Sequence, residues 1–386
     1  MKKEKIFFPI LVVLILVGIA GIPTVRYALY LAPVIAVLIM LVTGDFKFQF
    51  PPSVQPFILL LIFCIFTIYR ADYNWARQTY FILAYTTIFV FYDFSNIKVN
   101  IKLFNLLFIA VFLVKAVLAG QFGVFALSQI SLIDSKSALE STLAFPLGLF
   151  AIFFLYKKNY LWFLLNVVIV VLAFKRVVLF GVVACVLLFF IPRRIRAVLL
   201  SPYIITTAIL LGVVFQLTLA VGEFDSFIKD AFGISTNHLL MGRQELWQRA
   251  IDFTDFNFWS FSYYGVGHGT LTNFLEGSYS MNRVLLHNDF LLILFENGLA
   301  CLVLFAFLLL RHESHVNKAM ALYLVVLFAS DNVLIYQHVM IPYLLLMNLG
   351  ASERASTLSR GRRKTSNHKG RAANTRADTK EAGLSV

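Results

Sequence analysis

The groups best suited to chemistry fall between Gly242 and Glu296, the only long polar segment between hydrophobic runs. His287 heads the run His287-Asn288-Asp289-Phe290-Leu291, with Glu296-Asn297-Gly298 following. A histidine at the mouth of an apolar stretch can act as a neutral base near pH 7. The plain alternative is an interfacial histidine with no role beyond placing its ring at a membrane surface. At roughly 100° of rotation per helical residue, Asp289 and Glu296, seven apart, share a face. His287 and Glu296, nine apart, point to opposite sides. Glu296 is therefore not expected to orient His287. It is expected to pair structurally, with backbone or with an arginine of another helix, because an ionisable group set into an apolar helix faces the protein interior.

Upstream, Gly242-Arg243 opens a stretch in which Leu246, Trp247, Ala250 and Ile251 recur at helical spacing. That spacing predicts an amphipathic surface helix with Arg243 and Arg249 on or beside it. The string Gly265-Val266-Gly267-His268-Gly269 permits close backbone approach, but lacks the strand-turn-helix context of a nucleotide site. His268 is a second histidine of the same segment. Lys175-Arg176 interrupts the apolar stretch Val167 to Phe190. The pair reads either as an interfacial anchor or as part of a pyrophosphate site, since guanidinium forks hold phosphate oxygens in pairs. Glu140, beside Ser141 and Thr142, reads as a helix cap ahead of a catalytic carboxylate.

The frame that must position these groups is set by composition. The 386 residues are 60% hydrophobic, with a mean hydropathy of +0.82, far above a soluble globular chain. The apolar residues come in blocks of helix-spanning size. The blocks predict an all-α polytopic membrane protein with about twelve spans, near 6–22, 27–43, 55–69, 79–92, 101–119, 138–156, 160–174, 177–191, 202–220, 288–310, 317–330 and 333–349. The organisation is then spans one to nine over 1–220, a large loop over 221–287 carrying the chemistry, spans ten to twelve over 288–350, and a basic tail over 351–386. Net charge is +13, and nine of the Lys and Arg lie in the tail. Most of the others flank apolar blocks, which is the signature of membrane topology rather than of nucleic-acid binding. The short loops that carry most positive charge put both termini inside and 221–287 outside. Arg26, Arg70, Arg77, Lys136, Lys175 and Arg176 are the sparser cations of the outer loops. The tail, with Arg360-Gly361-Arg362-Arg363-Lys364, is too poor in large apolar residues to fold alone and can anchor topology or touch anionic lipid. Cys64, Cys185 and Cys301 lie in apolar blocks without metal or disulfide spacing and read as buried hydrophobes.

The order of these features resembles the O-antigen ligase and polysaccharide polymerase superfamily. A basic pair between spans, Lys175-Arg176, is followed by an outer loop opening Gly242-Arg243 with Trp247, then Gly265-Val266-Gly267, then His287-Asn288-Asp289-Phe290-Leu291 leading into a span with Glu296 and Gly298. The likeness covers roughly 170–310, and the histidine-asparagine stretch is its most specific piece.

The resemblance implies a GT-C-like membrane glycosyltransferase of the inner membrane, with its active site on the periplasmic face. The implied donor is a glycan on undecaprenyl diphosphate. The implied acceptor is a sugar hydroxyl on a second lipid-linked repeat unit (polymerase) or on lipid A-core (ligase), and polymerase is the favoured reading. No metal, nucleotide sugar or other cofactor and no nucleic acid are implied; membrane lipid and a chain-length regulator protein are implied partners.

Carried over, His287 is the base or positions the acceptor hydroxyl, and Arg243 and Arg176, with Lys175, hold the diphosphate. Asn288, Glu296, Gly265, Gly267 and His268 support the site. Two departures stand out: Lys-Arg replaces the more common Ser-Arg at 175–176, and His268 competes with His287 for the base role. The rival classes are a lipid-linked sugar carrier, which needs charged residues along a path through its spans, and an oligosaccharyltransferase acting on protein, which needs a larger soluble outer domain.

Overall fold

The computed structural model describes residues 2–20, 27–97, 99–120, 139–255, 263, 265–279 and 284–349. Arg26, Lys98, Lys136 and the basic tail lie outside the described residues. Within them the chain is helical, with no strand. The helices are α1 Lys3–Ala20, α2 Ala32–Thr43, α3 Gln55–Phe66, α4 Tyr73–Phe91, α5 Ile101–Leu118, α6 Ala144–Tyr156, α7 Tyr160–Ala173, α8 Arg176–Phe190, α9 Arg193–Leu199, α10 Pro202–Ala220, α11 Asp225–Phe232, α12 Thr236–Leu239, α13 Arg243–Thr254, α14 Thr270–Tyr279, α15 Asp289–Leu310 and α16 His315–Phe328, followed by α17 over 337–349.

Each stretch expected to span contains a helix, but among the described residues only α5, α10 and α15 are both long and apolar enough to cross a membrane by themselves. Six others, including α3, α6, α7, α8 and α16, are shorter apolar helices. α6 is the central helix. Every residue from Ala144 to Leu155 is buried, as expected for a helix that is apolar all round. Small residues let its neighbours close in. A Cβ at Gly148 would lie 2.1 Å from the Tyr323 hydroxyl, which instead donates to Phe145 O at 2.9 Å. Outer faces of the peripheral helices remain apolar and open, as at Leu161 on α7 and Phe180 on α8. Hydrocarbon accommodates such faces where water would not.

Lys115, one of the few charges inside the long helices, donates to Ile19 O at 3.2 Å, at the end of α1. The three cysteines are free and buried. The loops expected outside meet at one end of the bundle: Arg70 reaches Val266 O, Asp72 reaches Asn273, Arg77 pairs with Glu276 at 3.2 Å, and Lys175 lies 4.0 Å from Asp331.

α15 is the element that organises this end. It is interrupted at Gly298, whose φ of 85° and ψ of 168° are not helical. The break strands carbonyls of the first half, and a buried carbonyl must find a donor. The glycine string supplies it. Val266 N–H donates to Phe295 O at 2.8 Å, and Gly267 N–H to Glu296 O at 3.0 Å. Only glycine fits this approach: a Cβ at Gly265 would stand 2.3 Å from Phe295 O, and one at Gly269 would stand 2.5 Å from Trp75 N on α4.

Candidate active site

His287 precedes α15 in the left-handed region, at φ 54°, a conformation that costs a non-glycine residue about 1–3 kcal/mol and clusters at functional sites. Two neighbours hold it there. Its backbone N–H donates to Asn332 Oδ1 at 2.6 Å. Asn288, next in sequence and fully buried, caps α15 by accepting from Leu291 N–H at 2.9 Å. The Asn288 amide also donates to Gln216 Oε1 on α10 at 2.7 Å and to Ala329 O at 3.0 Å. Asp289 accepts from Val333 and Leu334 N–H at 2.6 and 3.0 Å. The histidine-asparagine-aspartate run is thus bolted to the turn between α16 and α17, while the His287 side chain keeps 41% of its surface exposed.

Asp331 is the partner of His287, its Oδ1 lying 3.5 Å from Nδ1. Burial pushes the Asp331 carboxyl up, but the imidazole, the Lys175 charge and the Asn332 amide outweigh it and hold it below its ordinary value. Asp331 is therefore an anion at neutral pH that favours a proton on Nδ1 and leaves Nε2 as the acceptor nitrogen. Sequence reasoning passed over this residue. The signal was the polar triplet Ser330-Asp331-Asn332 between two apolar stretches.

The cations sit beside this pair at two helix N-termini. Lys175 and Arg176 open α8, and Arg243 is the first residue of α13. Positive side chains are disfavoured there by the helix dipole, whereas an anion is favoured. Burial pulls Arg243 below its ordinary value, with Asp331 acting against that shift and Arg176 with it. Guanidinium nevertheless stays charged at neutral pH. Arg176 contacts the Met241 sulfur. Trp247, one turn into α13, donates to Leu286 O at 3.0 Å and ties the cation-bearing helix to the residue before His287.

Lys175, expected beside Arg176 as a diphosphate ligand, pairs with Glu140 at 2.8 Å and lies 4.0 Å from Asp331. Glu140 in turn does not cap α6, which begins at Ala144 without a side-chain cap. Arg249, exposed on α13, pairs with Glu245 at 2.8 Å and lies over the Tyr279 ring, so it braces α13 against α14.

Glu296 is buried and pairs with backbone, as one of the two expected partners. It accepts from Gly269 N–H at 2.9 Å and Thr272 N–H at 3.4 Å, and so caps α14 from another helix. Gly265, Gly267 and His268 belong to this clamp rather than to the His287 surface. His268 is 4% exposed, and burial pulls its ring down to about 4. Its ring is shut away from the surface on which the His287 ring is exposed.

The same burial makes a prediction. Between the ordinary value of 6.5 and about 4, the unfolded chain binds a proton that the folded chain refuses, so stability falls as pH drops through that window. The loss is on the order of 3 kcal/mol. Melting temperature followed against pH should show the decline, and a His268→Gln protein should show it weakened; equal slopes would remove His268 as its source.

Among the described residues, no group of three or more His, Cys, Asp or Glu could hold a metal ion. Neither a known family model nor a curated protein matches the chain, so the functional reading rests on this geometry and on the order of the motifs.

Proposed function

We propose that the protein is a multi-pass inner-membrane glycosyltransferase that uses a glycan on undecaprenyl diphosphate as donor, and that it polymerises lipid-linked repeat units at the periplasmic face. The observation that carries the reading is the exposed imidazole of His287, 3.5 Å from buried Asp331, with Arg243 within electrostatic reach of both Asp331 and Arg176 and the two arginines at helix N-termini. In this scheme Nε2 takes the proton of an acceptor hydroxyl as its oxygen bonds to the anomeric carbon. The bond from that carbon to the diphosphate oxygen breaks, and undecaprenyl diphosphate leaves with the electron pair. Arg243 and Arg176 stabilise its growing charge. Attack from the face opposite the diphosphate inverts the anomeric centre.

A carrier is disfavoured because Lys115 and Glu296, the charges noted inside the spans, are both bonded to backbone and supply no charged path. The twelve crossings, the inside termini and the outward-facing loop belong to the same proposal, and the gathering of the expected outer loops at one end of the bundle supports them.

The test is reconstitution in liposomes with a short undecaprenyl diphosphate-linked repeat unit. A growing ladder of products supports the polymerase. Product only when lipid A-core is added assigns a ligase instead. Donor crossing the bilayer with no new glycosidic bond overturns the transferase reading.

A further inference from the structure

A cavity of about 500 Å³ lies between α4, α14 and the turn after α16, within the roughly 300–1,000 Å³ of small-molecule sites. Leu286 and Asn332 line it, and these are the immediate neighbours of His287 and Asp331. Lys175, Arg176 and Arg243 do not line it, and neither do His287 and Asp331 themselves; the cavity adjoins the pair through Leu286 and Asn332 and lies apart from the cations. Its walls combine ring faces, Tyr30, Tyr73, Phe81 and Tyr336, with the hydrogen-bonding groups of Arg77 and Gln78. Those polar groups are held in place: Arg77 pairs with Glu276 at 3.2 Å and lies over the Tyr73 ring, and Gln78 donates to Thr272 Oγ1 at 2.6 Å.

Resting on the transferase reading above, we propose that this cavity is the acceptor subsite and that its ligand is a neutral or weakly polar saccharide, stacked on the Tyr73 ring with a hydroxyl at His287. Apolar ring faces interleaved with fixed hydrogen-bonding groups match the two-faced surface of a sugar ring. A polyprenyl chain would match the ring faces but make no use of the fixed polar groups of Arg77 and Gln78. The donor diphosphate is then held by the cations, outside the cavity.

Tyr73 is the residue to change, because its side chain is 75% exposed and its loss leaves the packed interior intact. The probe is the oligosaccharide released by mild acid from the cell's own undecaprenyl diphosphate-linked glycans. Its binding to the full-length protein in nanodiscs is followed by saturation-transfer NMR, beside the liposome transfer assay. The wild-type protein is expected to bind it, Tyr73→Ala about tenfold more weakly, and Tyr73→Phe within twofold. Undecaprenyl phosphate is expected not to displace it. In transfer, Tyr73→Ala should raise the acceptor KM and leave the donor KM alone.

Displacement by undecaprenyl phosphate, or a rise in donor KM, would overturn the proposal in favour of a lipid-chain site. Transfer by Tyr73→Ala with an unchanged acceptor KM would overturn it while leaving the transferase reading standing. Oligosaccharide binding without any transfer would overturn the acceptor role together with the transferase reading, and would leave a saccharide site.

Discussion

A His287→Ala protein is expected to lose about two to four orders of magnitude in transfer rate, and Asp331→Asn is expected to lose a similar factor. The second result is the more informative. Asp331 is buried and has no direct path to an acceptor; it acts through His287 Nδ1 at 3.5 Å. An amide at this position can donate to Nδ1, which would move the ring proton to Nε2 and remove the lone pair that must take the acceptor proton. The effect should appear in kcat, with substrate KM little changed. Because Asp331 also neighbours Lys175, the melting temperature must be measured alongside. A folded Asp331→Asn protein with full transfer would remove the His287–Asp331 pair from the chemistry. Loss of stability matching the loss of activity would assign Asp331 a structural role only.

Gly265→Ala is expected to destabilise the fold on the order of 3 kcal/mol. Its φ of +60° and a Cβ only 2.3 Å from Phe295 O and 2.4 Å from Glu296 C combine left-handed strain with a clash against backbone that cannot rotate away. Gly277→Ala is the matched control: it lies in α14 with nothing within 4 Å of the added carbon. It should be neutral or stabilising by up to about 1 kcal/mol. Thermal unfolding of the two proteins in detergent would show the contrast, and equal melting temperatures would mean that the loop does not grip the break in α15.

The two substitutions mark the boundary of what a sequence reader can see. Apolar blocks are local, so each carries its helix visibly, and the spacing of Leu246, Trp247 and Ala250 is enough to expect α13. Glu296 is bonded to Gly269 and Thr272, but helix rotation does not relate it to His287, which stands before α15 in left-handed backbone. Partnerships between distant loops are not local. Asp331 lies forty-four residues after His287, and their meeting depends on how α15 and α16 pack. Lys175 reads as a spare cation until α6 and α8 are known to bring Glu140 beside it. The glycine string is uninterpretable until the break at Gly298 is known, although the polar triplet Glu296-Asn297-Gly298 inside an apolar run was the trace of that break.

The Trp247 hydrogen bond to Leu286 O acts as a crossbar. Arg243 is one turn before the indole on α13, and His287 is one residue beyond the carbonyl it holds. The run that holds His287 is itself fixed to the turn between α16 and α17, so the indole secures α13 to a fixed point instead of moving that point with it. The bond is a mooring: the helix that bears Arg243 is tethered by one hydrogen bond to the rigid run that bears His287.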